Sequence, residues 1–176
     1  MTTALVLDFD EQANTAVRRI WSALDAAGIP SLGTKSEAEA PHVSVTMFEG
    51  GDPDAFMSDV ELILPSLSLL HLTLDALSVF PAPGVLFLGT VVTEQMIALQ
   101  RCVSEIATKQ GGTIREYYRA ERWIPHCTLA MALRGDDLAH AVMVAAGVTL
   151  PIRATAVSVS LVDSTADVVL RTVELS

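Results

Sequence analysis

Residues 41–45 read Pro-His-Val-Ser-Val, and residues 125–129 read Pro-His-Cys-Thr-Leu, the same pattern 84 positions later. On an extended strand side chains alternate between faces, so His42 and Ser44 share one face while Val43, Val45 and Met47 share the other. His126 and Thr128 likewise point one way, with Cys127, Leu129, Met131 and Leu133 expected in the core. Each histidine thus falls on the face that the apolar pattern leaves free. Ser and Thr make up 28 of 176 residues, so a hydroxyl two places on should follow roughly one histidine in six; three of the four have one. The preceding proline separates two of these from the third, His71-Leu72-Thr73, which also follows a helix rather than a loop.

Working outward, residues 3–9 read as a strand, after which Val17, Ile20, Trp21 and Leu24 recur at helical spacing until Gly28 and Pro30. The first histidine strand spans 42–48. Asp52 as N-cap and Pro53 as first helical residue then open a helix carrying Phe56, Val60 and Leu64, and a strand from about Ser68 to Phe80 comes after it. The second half repeats this order: strand 85–92, a helix over 93–110 with Leu99, Cys102, Val103 and Ile106 on one face, and Gly111-Gly112 as its stop. The His126 strand comes next, then a helix from Asp136 to Gly147, and strands over 152–162 and 168–175. Irregular loops, 31–40 and 113–122, lead into both histidine strands. The expected fold is therefore α+β and bilobal, a pseudo-twofold duplication of a βαβαβ unit with mostly antiparallel sheets flanking a central cleft and helices outside. The lobes would meet near residue 82, within a single two-lobed domain covering the whole chain.

Length agrees: 176 residues can bury one well-packed core without staples. The long uncharged stretch 76–93 is broken by Pro81, Pro83, Gly84 and Gly89, so no spanning helix is expected. No basic n-region precedes Asp8 and Asp10, which makes the cytoplasm the expected compartment. Cys102 and Cys127 are far apart and are expected as reduced thiols. A net charge of -10 with only 11 Lys and Arg lacks the footprint of a protein that tracks a long phosphate backbone, so long RNA is a disfavoured though not excluded partner. No feature specifies an oligomeric state.

Two imidazoles and two hydroxyls brought together across a cleft suit attack on a phosphodiester. One neutral ring takes a proton from the nucleophile, and the other, charged, gives one to the leaving oxygen. Ser44 and Thr128 would hydrogen-bond the non-bridging oxygens as charge builds. No metal is required, and His42 and His126 lack a local third ligand. His140, on the last helix with no hydroxyl partner, is expected at the surface.

The motifs PHVSV and WIPHCTLA resemble those of the two-histidine phosphoesterase superfamily, particularly its 2'-5' RNA ligase and RNA cyclic phosphodiesterase branch. The stretch 69–88, with Phe80, Pro81 and the VLFLG strand, is similar to the segment after the first lobe in that family. The resemblance implies a bilobal α+β fold with a central cleft, and His42, Ser44, His126 and Thr128 as the catalytic quartet. It also implies metal-independent hydrolysis of 2',3'-cyclic phosphates or related diesters, with no cofactor. RNA-directed members commonly carry a basic residue just after the second motif, where this chain has Ala130 and Met131; the next candidate is Arg134. That departure and the acidic charge favour a small phosphodiester or nucleotide as substrate.

The loop before the second motif offers Arg115, Tyr117, Tyr118, Arg119, Arg122 and Trp123. Arg119, Arg122 and Arg134 are the candidate phosphate partners and Tyr118 the candidate base-stacking surface, with Trp123 assigned to the core. Glu116 and Glu121 offer the arginines a simpler fate, ion pairing on a solvated loop. Two other functions use the same residues: a nucleotide-binding module without turnover, and an RNA-end 2'-5' ligase or cyclic phosphodiesterase.

Overall fold

A computed structural model describes residues 1–34, 40–66 and 70–175. The expected loop at 31–40 and the first residues of the strand expected from Ser68 fall partly outside that range. The elements are β1 (Thr2–Phe9), α1 (Glu11–Ala26), β2 (His42–Gly50), α2 (Pro53–Ile63), β3 (His71–Phe80), β4 (Val85–Thr90), α3 (Glu94–Lys109), β5 (Gly112–Ile114), β6 (His126–Ala130), α4 (Gly135–Ala145), β7 (Ile152–Asp163) and β8 (Val168–Glu174).

Local chemistry accounts for the helix starts. The Asp10 carboxylate accepts the Ala13 N–H (2.9 Å), and Asp52, ahead of Pro53, accepts from Asp54 and Ala55 (3.0 Å each). Thr93 accepts from Met96 (3.2 Å). Each cap satisfies amide donors that the first helical turn leaves without partners. The last helix opens one residue earlier than expected, at Gly135, with Arg134 in the cap position and no side-chain bond.

All strand pairs are antiparallel, and the strands join in one sheet of order β5-β2-β1-β7-β3-β4-β6, with β8 added to the free edge of β7. The run β2-β1-β7-β3-β4-β6 is a palindrome under the exchange of β1 with β4, β2 with β6 and β3 with β7. The pseudo-twofold is therefore real, and it passes through the β3–β7 pair, where His71 lies directly opposite Thr155. The strands do not segregate at residue 82, however. β3 pairs with β4 across a turn in which the Gly84 N–H donates to Pro81 O (3.2 Å), and β7, from the second half, pairs with β1. So short a connection dictates a hairpin. Gly84 is needed there: its φ is +65°, and any Cβ would collide with the Leu133 backbone.

One face of the sheet is apolar and covered by the helices. Leu5, Leu7 and Phe9 of β1, Val43 and Val45 of β2, and Leu86 and Leu88 of β4 pack there with Val17, Ile20 and Leu24 of α1 and Met96, Leu99 and Val103 of α3. The other face carries the histidines. Among the described residues, no helix is long and apolar enough to cross a membrane.

Strand alternation holds up to the motif hydroxyls and then changes phase. Leu5 and Val6 are opposite Thr46 and Ser44, so Val45 is an extra residue; Leu86 and Phe87 are opposite Ala130 and Thr128, so Leu129 is one too. These are β-bulges at equivalent places in the two halves. Beyond the first, Thr46 and Phe48 turn to the core, and Met47, expected there, is only half-buried. Beyond the second, Ala130 is buried, and Met131, expected in the core, is exposed because the strand has ended.

Candidate active site

His42 and His126 begin equivalent strands, and each is tied to its own approach loop. His42 Nδ1 lies 2.8 Å from the Ala40 carbonyl and His126 Nδ1 lies 2.7 Å from the Ile124 carbonyl. A carbonyl only accepts, so Nδ1 must carry a proton in both rings and Nε2 is left for other work. Neutral, that nitrogen accepts a proton; charged, it donates one.

Although β2 and β6 are far apart in the sheet order, the sheet curls to bring them together. Two tryptophans clasp the junction crosswise. Trp123, ahead of β6, donates its Nε1–H to Ser44 O (3.1 Å), and Trp21 on α1 donates to Thr128 O (3.3 Å). Each therefore holds the motif strand of the opposite half, at the carbonyl preceding the bulged residue. Trp123, expected as core, packs against the core and makes this bond as well. The Cys127 thiol hydrogen-bonds the His42 backbone, yet burial pushes it up to about 12, so it stays protonated and cannot act as a nucleophile. Cys102 is free and half-buried.

The two histidines have different surroundings. The Phe87 and Phe80 ring centroids lie 4.9 and 5.2 Å from that of His126, and the phenylalanines stack on each other at 4.3 Å. This burial pushes the His126 pKa down from the ordinary 6.5; the Ile124 carbonyl opposes the shift, and charge on the nearby His42 adds to it. Across the strand pair, His42 is opposite Asp8, whereas His126 is opposite Gly89.

The other expected site residues divide. Tyr118 sits in a short turn, and its hydroxyl hydrogen-bonds that of Ser44; burial pushes the phenol up, while Ser44 and the Arg115 charge pull it back. Its carbonyl is held by the buried Gln100 amide on α3 (2.6 Å). Tyr118 is thus half-buried, with its hydroxyl turned to Ser44. Arg122 pairs with Glu116 and lies over the Tyr117 ring, 4.9 Å from its centroid; Arg115 pairs with Glu49 (3.7 Å). Arg119 lines an open groove beside α3 with Arg101, Glu105 and Lys109. Arg134 is exposed at the start of α4. Among the described residues, no hydrogen bond or ion pair joins Arg119, Arg122 or Arg134 to the quartet. His71 bonds Thr155 Oγ1 (3.3 Å) and lines a separate cavity of about 750 Å³ with Asp10, Glu11 and Arg153. His140 is exposed. Among the described residues, no three His, Cys, Asp or Glu side chains gather to hold a metal ion.

Sequence reasoning missed Phe80 and Phe87 as neighbours of His126, Gln100 as an anchor, and Asp8. Only register reveals Asp8, since nothing in LVLDFD marks its neighbour across the sheet.

The family model for the 2'-5' RNA ligase superfamily matches residues 9–168. Comparison with curated proteins finds no match. Among solved structures, the chain resembles the PDE domain of MHV ns2 at 16% identity and a TM-score of 0.62, over 92% of this chain and 99% of that one. It also resembles Escherichia coli LigT, solved with NADP+, at 17% identity and a TM-score of 0.59, over 99% and 94%. A third structure, a phosphoesterase, gives 14% identity and a TM-score of 0.60, over 99% and 97%. Identities this low speak for the fold, and the fold agrees with the family match: this chain belongs to the 2'-5' RNA ligase superfamily.

Proposed function

We propose that this protein is a metal-independent phosphodiesterase that opens a small cyclic phosphodiester, a nucleoside 2',3'-cyclic phosphate or a close relative, with His126 as general base and His42 as general acid. The observation that carries the reading is the matched pair of Nδ1–carbonyl bonds, which leaves Nε2 of both rings for proton transfer. Burial beside Phe80 and Phe87 keeps His126 neutral near pH 7, the state of a base. His42 then serves as the acid.

Water attacks phosphorus and loses a proton to Nε2 of His126 as the new P–O bond forms. The bond to one ring oxygen breaks, and that oxygen takes the proton on Nε2 of His42. The Ser44 and Thr128 hydroxyls donate to the non-bridging oxygens, and Tyr118 orients Ser44. The product is a nucleoside monophosphate; His126 loses its proton to solvent, His42 regains one, and one water is consumed. Acid and base would each contribute about a hundredfold to ten-thousandfold. Two relatives of the same fold support a nucleotide ligand: LigT was solved with NADP+ and Kluyveromyces marxianus Usb1 with uridine monophosphate.

Substrate size is set by charge. A chain of net charge -10 repels a polyanion and, without paired cations, gains nothing from counterion release. The test is to treat the protein with EDTA and offer it 2',3'-cyclic mononucleotides and a short RNA oligomer bearing the same cyclic end, identifying products by phosphorus NMR. Monoester products are expected, with kcat/KM on the mononucleotide at least equal to that on the oligomer and little dependence on salt. Activity that vanishes with chelator and returns with zinc or manganese would overturn the mechanism. A steep salt slope with strong oligomer preference would overturn the substrate assignment, and binding without product would leave a nucleotide-binding module.

A further inference from the structure

The wall of the cleft beside His42 contains a carboxylate that the proposed mechanism does not use. Asp8 lies opposite His42 on one neighbouring strand and opposite Ser158 on the other, so it shares the histidine face of the sheet. Its Oδ2 accepts hydrogen bonds from Ser158 Oγ (2.8 Å) and Ser160 Oγ (2.6 Å), and Ser160 Oγ is in turn 2.8 Å from Thr172 Oγ1. Both serines are almost fully buried. The carboxylate is thus fixed in orientation, and no described residue donates to Oδ1. A second carboxylate, Glu174, is the cross-strand partner of Ser158. On the His126 side Gly89 stands in the place of Asp8, opposite the histidine, and the aromatic Phe87, opposite Thr128, stands in the place that Val6 has opposite Ser44. The residue opposite the histidine is therefore a hydrogen-bond acceptor on one side and a glycine on the other.

A fixed acceptor beside a phosphate site recognises a neutral donor and repels a second anion. In a nucleoside 2',3'-cyclic phosphate the one free sugar hydroxyl is at the 5' position. We propose that Asp8, held by Ser158 and Ser160, is a specificity-determining residue that accepts a hydrogen bond from the 5'-hydroxyl of the substrate and turns away substrates carrying a 5'-phosphate. This rests on the cyclic-phosphate reading of the site and deepens it, because it explains how a cleft with few cations selects a terminal mononucleotide over a chain.

The test compares the 5'-hydroxyl, 5'-deoxy and 5'-phosphate forms of adenosine 2',3'-cyclic phosphate as substrates for the wild type and Asp8→Asn. In parallel, calorimetry measures the binding of adenosine 2'-phosphate and adenosine 2',5'-bisphosphate to both proteins. The wild type is expected to prefer the hydroxyl form over the phosphorylated one by about tenfold or more, the scale of a like charge set beside a fixed carboxylate. Asp8→Asn, nearly isosteric and still able to accept from both serines, should shrink that ratio severalfold in kcat/KM and in binding. A wild type that takes the 5'-phosphate as readily as the hydroxyl overturns the inference without reference to any variant, and so does an unchanged ratio in a folded Asp8→Asn. If no cyclic phosphate is hydrolysed but the binding preference is present and depends on Asp8, hydrolysis fails while the inference stands. Absence of hydrolysis together with absence of binding to either monoester overturns the two together.

Discussion

His42 and His126 occupy equivalent positions, yet their neighbours make them unequal. A ring packed against Phe80 and Phe87 loses water on those sides, and the charged form suffers most from that loss. The sign of the effect is directly testable. If His126 must be neutral to act as base, the acidic limb of kcat/KM against pH tracks its titration and lies below the ordinary histidine value of 6.5. Replacing the half-exposed Phe80 by Ala admits water to the ring, so the limb should move upward toward 6.5, and the His126 ring resonances in proton NMR should titrate with it. An NMR shift without movement of the limb would remove His126 from the role of base. That His42 and Ser44 share one strand face, and His126 and Thr128 another at an equivalent place, was legible in the sequence because strand alternation and a repeated motif need no tertiary information. The placement of the arginines was not: Arg119 and Arg122 are near the motif in sequence, and the turn containing Tyr118 sets one beside α3 and pairs the other with Glu116.

At the level of elements, the bulges at Val45 and Leu129 decide where the motif side chains go. Both residues are ordinary strand formers, and the sole hint in the sequence is an alternation that loses phase at Thr46-Met47-Phe48 and at Ala130-Met131. The carbonyl before each bulge is taken by a tryptophan from the other half of the chain, so the two motif strands are held by one crossed pair of hydrogen bonds. Trp21→Phe or Trp123→Phe removes a donor and leaves a part-buried carbonyl unmatched, at a cost of about 1–3 kcal/mol. Urea unfolding should report that loss in each variant. Turnover should fall in both as well, because each change loosens the motif strand of the opposite half. Variants with unchanged midpoints and unchanged turnover would show that the clasp is incidental.

Across the whole molecule, a sequence offset of 84 located the pseudo-twofold, since matched elements repeat along the chain whatever they pair with. It could not show that β3 and β7 exchange partners between the halves, because pairing is a long-range choice set here by the short β3–β4 turn. On the proposed reading neither half can make a site alone: His42 and Ser44 come from one, His126 and Thr128 from the other, and the shared central strands join them. If the two histidines are the proposed acid and base they act as a unit, so their removal should not be additive. The most direct test is kcat/KM on a nucleoside 2',3'-cyclic phosphate for His42→Ala, His126→Ala and the double variant, with circular dichroism confirming the fold and His71→Ala as control. Each single change should cost on the order of a hundredfold to ten-thousandfold, the double little more than either, and His71→Ala almost nothing. Near wild-type turnover in either single variant, or a loss in His71→Ala as large as theirs, would contradict the account.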